Sequence, residues 1–447
     1  MKNIIWLLML SSVAFGTERP NFVFILSDDQ SWCGSSVQMD PSNPMSKSDY
    51  YQTPNMERLF ECGIRFTQGY APGPYCCPTR RSVQIGQNTA RHMYQKDQPG
   101  WTEYYKTQMT IPKALKAIDP KYRTAHFGKW DMRFDGVRPQ DLGYDVSDGY
   151  TDNGEGGAKN SKKPSATEDP KLIEHVTRRA EEFMRQCKDE GNPFYVQLSH
   201  YAVHLKIFYK QETLDKVNQR SIGAIHKDPG FAAMTEDLDD GIGQLMQTIK
   251  ELGLDKNTYV IFMSDNGGRV SPSDIEAPNQ NTPLRSGKGN MYEGGVRVPF
   301  TISGPGIKPG VVSHVPVSGV DLLPTITDFA GRQLHHNNLD GGSLKSLLHG
   351  ESEQVQRNND FLVFHQAVTR KPQSAIRKGN YKLVKTWEED KIELFDLSKD
   401  LSEAQDLSGS LPEITESLHQ ELQTYLDEVN ATTKKMGSKA EIYKLWR

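Results

Sequence analysis

Chemistry in this 447-residue chain is concentrated in short stretches. Pro74-Tyr75-Cys76-Cys77-Pro78-Thr79-Arg80-Arg81-Ser82 joins two adjacent cysteines, a proline and two arginines. Neighbouring cysteines seldom bond to each other, because a disulfide needs more widely separated alpha carbons. Proline fits the first turn of a helix, where its missing N–H costs nothing. The stretch therefore reads as a loop carrying Cys76 to the mouth of a helix that begins near Pro78. Free backbone donors, the positive end of the helix dipole, Arg80 and Arg81 would all favour an anion there.

Further along, polar clusters follow apolar runs. Asp28-Asp29 follows Asn21 to Ser27, Lys129-Trp130-Asp131 follows Tyr122 to Phe127, His200 and His204 follow Phe194 to Ser199, and Asp265-Asn266 follows Tyr259 to Ser264. Three carboxylates and an amide form an oxygen-donor set suited to a hard divalent cation such as Ca²⁺ or Mg²⁺. An acidic pair alone is often only a turn or helix cap; the second polar pair after a second strand favours a metal. No Cys/His set has zinc spacing. Arg80, Lys129, Lys288, Arg285 and either His200 or His204 supply positive groups. A metal with several cations suits a multiply charged oxyanion, sulfate or phosphate.

Continuous apolar runs of this length read as buried strands of a parallel sheet. Helical spacing recurs between them, at Thr53 to Cys62 (capped by Gly63), Ile111 to Ile118, Lys171 to Asp189 and Phe231 to Leu252. The predicted class is α/β, with a large mixed, mainly parallel sheet flanked by helices. Ligands in such sheets sit beyond the carboxyl ends of the strands, where all four clusters fall. Asp145 to Pro170 is rich in Gly, Asn, Ser and Lys and reads as a surface excursion able to line a cleft. Val298 to Ser303 reads as a strand and Asp321 to Ala330 as a helix. Residues 347–447 form a smaller C-terminal α+β subdomain. In it Ser374 to Lys385 and Ile392 to Leu397 pair antiparallel, and Pro412 to Val429 closes as a helix.

Net charge is −4, which excludes a generally basic nucleic-acid binder. Residues 1–16 have a positive start, a short apolar core and small residues at Ala14-Phe15-Gly16, the pattern of a signal peptide. The mature chain is then exported, periplasmic or secreted, without an integral membrane segment, and 17–346 form its catalytic domain. Five cysteines, an odd number, leave at least one without an internal partner.

Together these residues resemble a type I sulfatase of the alkaline phosphatase superfamily. The family signature is Cys or Ser, any residue, Pro, a small residue and Arg, then a Gly. Cys76, Cys77, Pro78, Thr79, Arg80 and Gly86 fit it. Asp28-Asp29, Gly128-Lys129-Trp130, the His204 region, Ser264-Asp265-Asn266-Gly267, Gly287-Lys288-Gly289 and Tyr292-Glu293-Gly294-Gly295 follow in the family's order. Asp321-Leu322-Leu323-Pro324-Thr325 and the run from Ile376 to Asp396 are also similar.

The resemblance implies an alkaline phosphatase-like fold. It implies that a separate maturation enzyme oxidises Cys76 to formylglycine, whose hydrated aldehyde attacks sulfur and whose second hydroxyl releases sulfate by elimination. Asp28, Asp29, Asp265 and Asn266 would hold one Ca²⁺, with residue 76 completing its shell. Arg80 would stabilise the nucleophile, Lys129 and Lys288 would bind sulfate, and His204 with Lys288 would assist the leaving oxygen; Arg285 is a further substrate-binding candidate. Where the family often has His after Gly-Lys-Trp, this chain has Asp131, the expected base, with His126 and His200 as alternatives. The implied substrate is a sulfated carbohydrate, and His365 and Arg370 are candidates for specificity. Two rivals share the site: a formylglycine-dependent phosphonate monoester or phosphodiester hydrolase, and a catalytically silent sulfated-glycan-binding protein.

Overall fold

The computed structural model describes residues 19–92, 101–132, 136–158, 164–270, 280–367 and 371–433. The signal-peptide pattern and Arg370 lie outside them. Eight strands build the main sheet: β1 (Asn21–Ser27), β2 (Gly63–Phe66), β3 (Arg123–Gly128), β4 (Val146–Ser147), β5 (Phe194–Ser199), β6 (Thr258–Ser264), β7 (Phe300–Ser303) and β8 (Val311–Ser313). Their order is β8-β2-β7-β6-β1-β5-β3-β4. From β6 to β4 every pairing is parallel, and β7 runs antiparallel to both its neighbours. The sheet is thus mixed and mainly parallel.

β1 is central and buried along its whole length. Val23 and Ile25 face one apolar layer with the helices Ile173–Glu190 and Pro229–Glu251, while Phe22, Phe24 and Leu26 face a second layer containing Leu115 and Leu323. Burial on both faces explains why the strand reads as an unbroken apolar run rather than an alternating one. Each such side chain contributes about 1.5–3 kcal/mol. The register pairs Ser27 with Ser264 and Leu26 with Ser199, so β1, β5 and β6 end level.

Several local expectations shift. The helix after the cysteine pair spans Cys76–Ile85, so Cys76 lies inside its first turn rather than ahead of it. The first long helix spans Pro54–Glu61 and ends on Cys62 in right-handed geometry, because Gly63 already opens β2. Lys171 and Leu172 have φ of 58° and 52°, so regular helix begins only at Ile173. The excursion after Asp145 is partly built in: Ser165–Ala166 pairs with Phe208–Tyr209, and Thr151, Asp152 and Gly156 are buried.

The C-terminal sheet has four antiparallel strands, β9 (Leu362–Gln366), β10 (Gln373–Lys378), β11 (Tyr381–Thr386) and β12 (Lys391–Asp396). The run expected as one strand from Ser374 to Lys385 is two, turned at Gly379-Asn380. The helix Pro412–Glu428 covers one face. The other face packs on Tyr70, Met291, Tyr292 and Val296 of the main body.

Candidate active site

The level strand ends deliver the polar clusters to one place. Asp28, Asp29, Asp265 and Asn266 are buried at the ends of β1 and β6. The backbone of Asp29, at φ 59°, turns its N–H to Asp265 Oδ1 at 3.2 Å. Gly128 closes β3 at φ 87°, and a Cβ there would stand 2.2 Å from Ser199 O; only glycine lets the chain turn and present Lys129. At Gly267 a Cβ would meet Gly294 O at 1.8 Å, so this glycine allows the strand end to lie against the loop that carries Lys288.

The Cys76 loop is closed by Thr79, whose hydroxyl donates to Gly73 O at 3.0 Å and accepts from Gly73 N at 3.2 Å. That is the work of the small residue in the motif. Cys76 Sγ then lies 3.4 Å from Asp28 Oδ1 and 3.9 Å from Asp29 Oδ1. Arg80 donates from Nε and Nη2 to Asp265 Oδ2 at 3.0 and 2.7 Å, and from Nη1 to Lys129 O at 2.7 Å. Lys129 Nζ donates to Asp28 Oδ2 at 2.5 Å. Lys288 Nζ bonds Asp29 Oδ1 and stands 3.0 Å from Cys76 Sγ. Each of these three cations is held by its own carboxylate.

Burial opposes ionisation of Asp28, but Lys129, His204 and Arg80 outweigh it and hold this carboxyl well below the usual range. Burial, Asp265 and Asp28 together push the Cys76 thiol well above its ordinary value. A thiol surrounded by carboxylates is a poor source of thiolate, so an unmodified Cys76 is not a ready nucleophile.

Two buried oxygens at this point, Asp29 Oδ2 and Asn266 Oδ1, have no hydrogen-bond partner. Asn266 Nδ2 is spent on Asp29 Oδ1 at 2.8 Å, which turns its carbonyl oxygen free. Asp28, Asp29, Cys76 and His204 offer donor atoms within 4.8 Å of one another. The unpartnered buried oxygens of Asp29 and Asn266, beside Asp28 and Asp265, fit a hard divalent cation held by oxygen.

His204 Nε2 stands 3.6 Å from Asp29 Oδ2, and its Nδ1 lies against Leu205 O. A carbonyl only accepts, so Nδ1 carries the proton. Burial drives the imidazole down to about 4, against the pull of Asp29, so the ring is neutral at pH 7. Neutral His204 therefore accepts at Nε2 and must gain a second proton before it can donate one there. Lys288 has protons already in place.

Asp131 Oδ2 lies 3.7 Å from Lys129 Nζ, with φ of 59° and the peptide anchored by Thr151 O at 3.0 Å. The structure brings it to the cluster. It does not bring His126, which bonds Ser199 Oγ at 3.1 Å and packs edge-on to Trp130 in the core. His200 is likewise buried, and among the described residues its Nδ1 has no hydrogen-bond partner. Arg285 departs from its expected role: its guanidinium lies 3.8 Å over the Tyr292 ring and donates to Glu403 O at 2.9 Å and to Glu393. His365 ties Ser374 Oγ at 2.7 Å to Thr432 O at 3.1 Å inside the C-terminal subdomain. Sequence reasoning missed Thr151, which braces Trp130 N at 2.9 Å, and the pair Lys382 and Glu403, which grip Glu293. Nothing in the sequence pointed to Thr151, or to partners as far along the chain as Lys382 and Glu403.

Comparison with known proteins matches the chain to a family. The sulfatase family matches residues 20–332, and the pattern of the N-sulphoglucosamine sulphohydrolase C-terminal region matches 287–431. The chain belongs to the sulfatase family and is an enzyme, a sulfuric ester hydrolase. It is 26% identical to a sulfatase of Formosa agariphila over 93% of this chain and 90% of that one. Two solved structures share its fold. Ps i-CgsB, in complex with k-i-k-neocarrahexaose, has a TM-score of 0.75 at 23% identity, covering 96% of this chain and 97% of that chain. BT4656, in complex with its substrate D-glucosamine-2-N,6-O-disulfate, has a TM-score of 0.69 at 19% identity, covering 92% and 98%. Among the described residues no helix is long and apolar enough to cross a membrane.

Proposed function

We propose that this sulfatase is exported and removes an O-sulfate from a carbohydrate, with Cys76 matured to formylglycine and one Ca²⁺ held by Asp28, Asp29, Asp265 and Asn266. The observation that carries the site assignment is the convergence of Arg80, Lys129 and Lys288 on Cys76 and three carboxylates. The carbohydrate is supported by the two saccharide complexes among proteins of the same fold. Catalysis is assigned to 17–346 and support of the Lys288 loop to 347–447.

Formylglycine and Ca²⁺ supply an oxygen nucleophile in place of a buried thiol and the charge that activates it. The chain's own groups do the rest. Arg80, locked on Asp265 and Lys129 O, fixes positive charge behind residue 76. Lys129 and Lys288 bind the sulfate oxygens, where negative charge spreads as the ester bond breaks. Lys288 gives a proton to the leaving sugar oxygen, with neutral His204 beside it as an acceptor. Asp131, at the edge of the cluster, takes a proton as sulfate is released. All these groups are positioned before substrate arrives, so little reorganisation is needed.

The test is turnover of defined sulfated oligosaccharides by protein co-produced with a formylglycine-generating enzyme, with sulfate release measured directly. Release from sulfated sugars, and faster cleavage of an aryl sulfate than of the matching aryl phosphate, is the predicted result. Preference for the phosphate ester would overturn it in favour of a phosphoester hydrolase. Binding without turnover in fully converted protein would leave a glycan-binding role.

A further inference from the structure

Lys171 is a buried cation with no part in the site described above. It closes the 145–170 excursion and is only 4% exposed. Its φ of 58° and that of Leu172 at 52° are left-handed values that side chains of this size seldom adopt. The Phe208 ring beside Lys171 is closely packed from the excursion's side: a Cβ on Gly157 would meet Phe208 Cε2 at 2.7 Å. Lys171 Nζ rests 5.3 Å from the centre of the Phe208 ring. Among the described residues it has no hydrogen-bond acceptor and no carboxylate partner.

The charges that reach Lys171 are those of the reaction centre. Burial lowers its ammonium to about 8, Asp28 and Asp29 pull it back up, and Lys129 presses it further down. The other cations there are engaged: Arg80 on Asp265, Lys129 on Asp28, Lys288 on Asp29. A buried ammonium without an acceptor is costly, and an anionic ligand relieves that cost.

We propose that Lys171 is a substrate-binding residue whose ammonium takes an oxyanion of the bound sulfated saccharide. This rests on the sulfatase reading of the neighbouring site. The oxyanion is either the sulfate to be cleaved or a second anionic group on the same sugar, and the test separates the two.

The test uses the full chain with Cys76→Ala, so that ligand binds without turnover. Calorimetric titration with a monosulfated neutral monosaccharide and with its disulfated counterpart is compared across Lys171→Met and Lys171→Arg. Lys171→Met should weaken binding about tenfold to a hundredfold, as expected for loss of a charged hydrogen bond, while Lys171→Arg retains most of it. Lys171→Met should also melt at or above the parent temperature, because an unpaired buried charge is gone. A purely structural lysine would give the opposite melting shift. Equal weakening toward both probes assigns the sulfate to be cleaved, and weakening confined to the disulfated probe assigns the second anion. Unchanged affinity of folded Lys171→Met for both probes overturns the proposal while leaving the sulfatase reading intact. A parent that binds neither probe overturns both.

Discussion

The loop from Arg285 to Arg297 joins two buried charge clusters that differ in their access to solvent. At one end Lys288 reaches Asp29 and Cys76. At the other, Glu293 accepts from Lys382 at 2.8 Å, Tyr70 at 2.9 Å and Arg297 at 3.1 Å. Its backbone N–H donates to Glu403 Oε2 at 2.6 Å, and Lys382 stands 3.0 Å from Glu403 Oε1. Lys382 and Glu293 are sealed at 0% side-chain exposure, whereas Lys288, His204 and Asp131 keep 13%, 16% and 12%. In the sealed cluster both Glu293 oxygens are occupied, while Glu403 Oε1 has only its ion pair with Lys382 and no hydrogen bond. In the open one, Asp29 Oδ2 and Asn266 Oδ1 wait for a partner. The same residue types thus hold the C-terminal sheet in one place and line the reaction site in the other, and what separates them is access.

The largest effects should divide along this line. Lys129→Ala or Lys288→Ala should lower kcat/KM by about 10²–10³ or more, as for loss of a transition-state donor, and the folded protein should stay inactive. Lys382→Met should do the reverse. It strands Glu293 and should cost about 3–5 kcal/mol in chemical denaturation, while the folded fraction keeps most of its turnover. If the two variants exchanged phenotypes, the distinction would fail.

Metal removal is the next effect in size. Chelation should abolish turnover, and calcium restored at about a hundred times its dissociation constant should return about 2.7 kcal/mol of stability. Unchanged melting with and without calcium would remove the metal assignment.

Smaller is the signature of Glu403, raised to about 7 by burial and by Glu293 against the pull of Lys382. Its folded value lies above the unfolded one, so its contribution is complete below pH 4.5 and is lost as pH rises through 7. The stability difference between Glu403→Gln and parent should therefore change across that window, by at most about 1.4 kcal/mol per pH unit. A flat difference would contradict a raised Glu403. Smallest is Asp131→Asn, which should reduce turnover and alter its pH profile; full activity at every pH would exclude Asp131 as the base.

Much of this site was legible because buried parallel strands are unbroken apolar runs, and the polar residues after them must share one edge. Asp28, Lys129, His204 and Asp265 were found that way. Residues whose partners lie far along the chain were not. Arg285 sits in the same Gly- and Lys-rich run as Lys288, yet its guanidinium stacks on Tyr292 and turns to Glu393 and Glu403, more than a hundred residues away. Lys171 looked like the first residue of a helix, but its backbone is left-handed and its ammonium lies against the Phe208 ring, more than thirty residues on. His126 appeared free to act as a base, but alternation along β3 turns it into the core beside Trp130. The antiparallel β7 is only four residues long, too short to declare its direction.

The most direct measurement is sulfate release from a sulfated oligosaccharide by matured parent, Cys76→Ala and Cys77→Ala proteins, with mass spectrometry of the peptide spanning both cysteines. Cys76 lies within reach of Asp28 and Lys288, and Cys77 is its neighbour in the same helical turn. The account predicts formylglycine at position 76, no turnover in Cys76→Ala, and most of the parent rate in Cys77→Ala. Turnover that survives in Cys76→Ala, or an unmodified thiol at position 76 in fully active protein, would contradict it.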